Sequence, residues 1–176
     1  MQLRTIFIFL SIFSLLAFKS TDKPPYLNPK LPIQERVNDL MSRMTLEEKV
    51  SQMCQYVGLE HIKENEKKLT AEQIKKMDDR GFYPGKSVED IENLIKEGKI
   101  GSMLHVVTAE EANYIQSLAL KSKLKIPVLI GIDAIHGNGL YSGATIYPSP
   151  ISMAATFEDQ LNYDCGIQTA KEMRAT

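Results

Sequence analysis

The chain has 176 residues, a net charge of −1, and a composition that is 43% hydrophobic and 24% charged. That is the balance of a soluble globular protein with material for one core. Near-neutrality gives no electrostatic footprint for nucleic acid or an anionic membrane surface, so neither is expected as a partner. Its two cysteines and three histidines fall in no metal-ligand spacing, which leaves metal chemistry without a motif.

Residues 1–20 stand apart. Arg4 precedes an apolar run over 6–18 broken only by Ser11 and Ser14. A positive start followed by a run of that length predicts a signal peptide, too short for a stable membrane span. Export to a periplasmic or extracellular space follows, although residues 17–20 offer no clean small-x-small cleavage site. The proline-rich stretch 21–32 is expected to run as an extended surface arm.

Ile33, Val37, Leu40, Met41 and Met44 then share one helical face and are read as core packing. Thr45 and Glu48 form a capping box that starts a second helix running through about Val57. Residues 60–86 read as a solvated insertion containing His61, with a short helix over 70–77 broken by Gly81 and Pro84. Ser87 begins the next helix, which turns Ile91, Leu94 and Ile95 inward and stops at Gly98. Residues 100–107 read as a strand. Thr108 and Glu111 form a further capping box, opening a helix through about Ser122.

Residues 126–132 are apolar and β-branched without alternation, the pattern of a parallel strand buried on both faces. Pro127 sits at its start, where a missing donor is tolerated. Strand, helix and strand in so short a space predict a right-handed parallel crossover and an α/β fold. Residues 151–155 are a short apolar run, and Thr156 is expected to cap a last helix. Cys54 and Cys165, each in a predicted helix, read as buried free thiols.

Asp133 follows the 126–132 strand at its carboxyl end, where open α/β sheets and barrels both place their chemistry. His136, Gly137, Asn138 and Gly139 come next, too glycine-rich to extend a strand and suited to shaping a mouth. His136, and His105 at the end of the preceding strand, read as buried histidines bonded to backbone. Gly137, Gly139 and Gly143 lack both the phosphate-cradle spacing and a following helix start, so nucleotide binding is a weak alternative.

The strings GIDAIHG, GATIYPSPISMAATFE and KEMRAT, with MSRMTLEEKVSQM and GKIGSMLHVVTAEEANYIQ upstream, together resemble glycoside hydrolase family 3. The likeness is nearest the β-glucosidase and exo-β-glucanase branch and covers roughly residues 31–176. DAIHG stands where the N-acetylglucosaminidase branch carries an acidic-Glu-Gly-Gly-Arg pattern, which points away from that branch. The resemblance implies a (β/α)8 TIM-type barrel, with residues 33–176 supplying only its first few βα units. About three strands do not close a barrel of eight. The chain is therefore expected to be the N-terminal portion of a larger protein whose missing C-terminal remainder is its partner.

For the intact protein the resemblance implies retaining hydrolysis that releases terminal β-D-glucose from a β-glucoside or β-linked oligosaccharide, without a cofactor. A family 3 β-xylosidase is the neighbouring alternative. Asp133 matches the family's aspartate that binds the non-reducing sugar and is the one substrate-binding residue assigned. Retaining chemistry needs two carboxyl groups about 5–5.5 Å apart, and the family carries its nucleophile and acid/base in later segments. No catalytic residue is therefore assigned here, and the chain alone is expected to be inactive, with at most weak glycan binding. With no Trp in the chain, any stacking platform for a sugar ring is Tyr or Phe. Glu172 and Arg174 match the family's helix and are read as structural ion-pair formers.

Overall fold

The computed structural model describes residues 23–76 and 85–176. The expected signal peptide, Gly81 and Pro84 lie outside the described residues. The chain divides into two compact units, 1–44 and 45–176.

In the first unit the proline-rich arm is not extended. It folds into a 3-10 turn, Pro25–Leu27, that precedes helix α1, Ile33–Arg43. The Tyr26 N–H donates to Asp39 at 3.1 Å, and Arg36 Nε donates back to the Tyr26 carbonyl at 3.0 Å. Arg43 grips Asp39 through two bonds of 3.0 and 2.9 Å. That guanidinium contact holds the Asp39 carboxyl below its ordinary range. These bonds bury Tyr26 and explain why the arm curls. The apolar face of α1 is a correction to the expected core packing: Ile33, Val37 and Met41 are exposed, and only Met44 is buried.

The second unit opens with the expected capping box. Thr45 Oγ1 accepts the Glu48 N–H at 3.1 Å and Glu48 Oε2 accepts the Thr45 N–H at 2.8 Å. Helix α2 is only Leu46–Ser51, however, and the segment assigned to its second half is strand β1, Gln55–Val57. Pairing with a distant segment wins over local helical pattern here. Cys54 O accepts both the Gly101 and Ser102 N–H groups at 3.1 and 3.2 Å, and Tyr56 and Val57 suit a pleated surface. Residues 60–76, in the region read as a solvated insertion, are helical for most of their length. The helices are α3, Leu59–Lys68, and α4, Ala71–Lys75, and α3 buries Leu59 and Ile62.

Ser87 and Asp90 close the capping box of α5, Val88–Lys96, which buries Ile91 and Ile95. Strand β2, Ser102–Leu104, leads to α6, Ala109–Ala119, then strand β3, Leu129–Gly131. The chain continues through α7, Pro150–Ala154, and α8, Asp159–Ala175. The three strands are parallel in the order β1-β2-β3, with Tyr56 opposite Met103 and Met103 opposite Ile130.

This is a mixed α/β fold built on a small parallel sheet. Its core joins Val57, Met103 and Val128 from the sheet region to Leu59, Ile91 and Ile115 from the helices. Gln116 of α6 donates to Val128 O at 2.7 Å and accepts the Val128 N–H at 3.1 Å. One amide side chain thereby satisfies both backbone groups of the residue that leads into β3.

β3 is parallel as expected but is not buried on both faces. Leu129 and Ile130 are 74% and 40% exposed, so neither face of the strand is fully covered, and β3 pairs only with β2 among the described residues. Two further corrections concern α8 and the cysteines. Thr156 Oγ1 accepts the Glu158 N–H and donates to Met153 O. It closes the turn after α7, and α8 starts at Glu158 without a side-chain cap. Both thiols are free, as expected, but half-buried, and Cys54 lies between α2 and β1 instead of within a helix.

Candidate functional site

The three strands deliver one polar side chain each to the same end of the sheet. β1 runs into Gly58 and α3, which carries His61; β2 ends beside His105; β3 ends two residues before Asp133. The Gly58 N–H donates to Leu104 O and the His105 N–H to Gly131 O, both at 2.7 Å. These bonds extend the ladder past the strands proper and fix the spacing of the three contributions.

His105 is buried and lies with its ring centroid 5.9 Å from that of His61, the two rings tilted by 58°. Its Nε2 approaches Asp133 Oδ2 to 3.6 Å, while the Asp133 side chain is 57% exposed. That separation is just beyond hydrogen-bond length. The backbone of His105 has φ 59°, a left-handed conformation that His tolerates better than most residues and that costs roughly 1–3 kcal/mol.

Glu111 lies in the first turn of α6 and is buried. Thr108 Oγ1 accepts the Glu111 N–H at 3.2 Å, the first half of the expected capping box. The second half is missing. Glu111 Oε1 instead accepts the Glu60 N–H at 3.1 Å, joining the starts of α3 and α6.

The glycine-rich segment after Asp133 is held by its own backbone and by α8. The Tyr147 N–H donates to His136 O at 2.8 Å and the Tyr141 N–H to Asn138 O at 3.0 Å. Gly137 has φ 100°, and a Cβ there would strike Thr145 O, so only glycine serves. Glu172 accepts the Thr145 N–H at 2.9 Å, the Thr145 hydroxyl at 2.7 Å and the Gln168 amide at 3.2 Å. The Thr145 hydroxyl foremost holds this carboxyl below the ordinary glutamate range. Glu172 therefore acts through hydrogen bonds, and among the described residues neither it nor Arg174 forms the expected ion pair.

His136 is exposed, contrary to the reading of a buried histidine, and it is its carbonyl that accepts the Tyr147 N–H. His105 is buried as expected. One cavity of 390 Å³ is lined by Ala134, Ile135, His136, Tyr147, Cys165 and Met173, and another of 240 Å³ by Val106, Thr108, Ile132 and Asn138. The neighbours of Asp133 in the chain thus line one cavity each, while Asp133 itself lines neither and is exposed. Among the described residues, no group of three or more His, Cys, Asp or Glu side chains is placed to hold a metal ion. Such a carboxylate is suited to accepting hydroxyl donors, since its two oxygens can meet two neighbouring O–H groups.

The sequence pattern of the Glycosyl hydrolase family 3 N terminal domain matches residues 45–176. The chain belongs to glycosyl hydrolase family 3. The matched region coincides with the second compact unit. This family 3 chain is 32% identical over 147 residues to β-glucosidase C of Emericella nidulans, covering 78% of the chain and 22% of that protein. It is 25% identical over 122 residues to the periplasmic β-glucosidase of Salmonella typhimurium, covering 69% of the chain and 12% of that protein. A lysosomal β-glucosidase of Dictyostelium discoideum is 29% identical over 130 residues, covering 69% of the chain and 15% of that protein. The chain thus spans 12–22% of the length of these relatives. Among the described residues no helix is long and apolar enough to cross a membrane.

Sequence reasoning placed Asp133 at the strand end of this family 3 domain but did not bring His105 beside it, His61 beside His105, or Glu111 to the start of α3. The strand register that gathers them had no local signature.

Proposed function

We propose that the complete protein is an exported, retaining β-glucosidase that releases terminal β-D-glucose from β-glucosides or β-glucans. Residues 33–176 form the opening βα units of its (β/α)8 barrel, and Asp133 holds the sugar at the non-reducing end. The observation that carries this reading is the solvent-facing Asp133 carboxylate at the carboxyl end of a parallel sheet, beside His105, in a chain of this family. All three relatives described above are named β-glucosidases.

Asp133 accepts two outer hydroxyls of the ring. Contacts remote from the reacting carbon hold the sugar in place and support its distortion toward the transition state. The nucleophile and acid/base, a carboxyl pair about 5–5.5 Å apart in a retaining enzyme, belong to segments outside these 176 residues. Among the described residues β3 is an edge of the sheet, paired only with β2, which is consistent with further strands joining there. Residues 1–20 act as the export signal, and the periplasmic address in one relative's name supports that reading.

The test is to purify the complete gene product and assay aryl β-glucosides and aryl β-xylosides, following the anomer first released by NMR. Preferential glucoside hydrolysis with release of the β-anomer is the expected result. Inversion, or no hydrolysis of either substrate, would sink the reading; xyloside preference would move it to a β-xylosidase.

A further inference from the structure

We propose that His105 is a positioning residue for Asp133: its Nε2–H orients the Asp133 carboxylate so that the remaining lone pairs face the hydroxyls of a bound sugar. This rests on the sugar-binding reading of Asp133 and adds to it the group that fixes the carboxylate's plane.

Asp133 needs such a group. Its side chain is more than half exposed, and among the described residues no other side chain or backbone N–H is hydrogen-bonded to its carboxylate. A carboxylate turning freely about its side-chain bonds must be ordered before two neighbouring hydroxyls can share it, and that ordering opposes binding.

His105 has the qualities of an orienting partner. Its backbone is pinned to the strand that delivers Asp133, through the 2.7 Å bond from its N–H to Gly131 O. Its ring is buried and lies against the His61 ring, which limits the rotamers it can reach. Its φ of 59° departs from the strand it follows, and residues held in sparsely populated backbone regions concentrate at functional sites. The Nε2 to Oδ2 separation of 3.6 Å needs to shorten by only about half an ångström to become a hydrogen bond. Site hydrogen bonds that are long without ligand commonly tighten when it arrives.

A histidine suits the task chemically. One ring nitrogen donates to the carboxylate without the full, fixed charge of Lys or Arg, so the carboxylate stays available to neutral hydroxyls. The same type of oriented contact, imidazole N–H to carboxylate, sets ring and carboxylate geometry at metal and catalytic sites generally.

The test uses the complete gene product, with D-glucose binding measured by calorimetry and folding followed by thermal melting. His105→Asn is the deleting variant: Asn accepts a left-handed backbone readily but is too short to reach Asp133. His105→Gln is the rescuing variant, because its amide N–H reaches about as far as Nε2. With charge-assisted bonds at stake, Asp133→Asn should weaken glucose binding about tenfold or more. His105→Asn should weaken it several-fold, beyond the effect of any fall in melting temperature that it shares with His105→Gln, and His105→Gln should recover most of the loss in binding. Combining His105→Asn with Asp133→Asn should add no further loss, since the positioning has nothing left to position.

Normal binding by His105→Asn, equal losses in the Asn and Gln variants, or additive losses in the double variant would each overturn the role of His105 while leaving Asp133 in the site. Unchanged binding by Asp133→Asn would overturn both.

Discussion

The Glu111 carboxylate accepts the Glu60 N–H at 3.1 Å, so a side chain in the first turn of the helix that follows β2 caps the helix that follows β1. Glu111 is buried, and removing it leaves a free N–H at the start of α3 in a place with little water. Glu111→Ala should therefore destabilise the fold by about 1–3 kcal/mol, and Glu111→Gln, which keeps an acceptor oxygen, by clearly less. Denaturant melts of the complete protein would measure both; equal effects would show that the charge, not the acceptor, matters.

Gly101 should tolerate no side chain. A Cβ there would fall on the Gln52 carbonyl, with the Gln52 Cα close behind, so backbone and not a flexible side-chain tip would have to move. Gly101→Ala is expected to cost about 3 kcal/mol or more and to disturb the pairing of β1 with β2. Thermal melting and amide exchange of residues 55–57 are the readouts.

Acid should loosen the glycine-rich segment after Asp133. The folded pKa of Glu172 lies below its unfolded value, held there first by the Thr145 hydroxyl, then the Thr145 N–H and Gln168. The stability this adds is present in full above the unfolded glutamate pKa of about 4.3 and is lost as pH falls through the lowered folded value. Carbon-detected NMR titration should place the Glu172 carboxyl below the ordinary glutamate range. Thr145→Val, which removes the hydroxyl and keeps the N–H, should move it back toward the ordinary range.

Much of this arrangement could be read from the chain, and the rest could not for a definite reason. The capping boxes at Thr45 and Ser87, the inward set Ile91 and Ile95, and the parallel strand leading to Asp133 all follow from local spacing. β1 did not, because a three-residue strand directly after a short helix is made by its partner: Gln55 to Val57 are held by residues 102–104. The same non-local pairing brings His61 to His105, and His105 to Asp133. Thr108 shows the division within a single motif. Its own half of the box formed as the spacing predicts, while Glu111 was drawn to Glu60, a partner no local window contains. Burial of β3 on both faces was expected from its composition, and the exposure of Leu129 and Ile130 reflects what packs on the faces of the strand, which composition does not encode.

If Asp133 holds the sugar as proposed and supplies neither nucleophile nor acid/base, the isolated 176-residue chain should not hydrolyse an aryl β-glucoside. Turnover by the pure chain at a rate comparable with the complete protein would place the reacting carboxylates within these residues.

The most direct measurement is kcat/KM for an aryl β-glucoside in the complete protein carrying Asp133→Asn. Loss of charge-assisted bonds to the sugar should lower it about 10–100-fold while the melting temperature holds, since the Asp133 side chain is exposed and, among the described residues, approaches only the His105 ring. Kinetics equal to those of the unaltered protein would remove Asp133 from the sugar site and contradict the account.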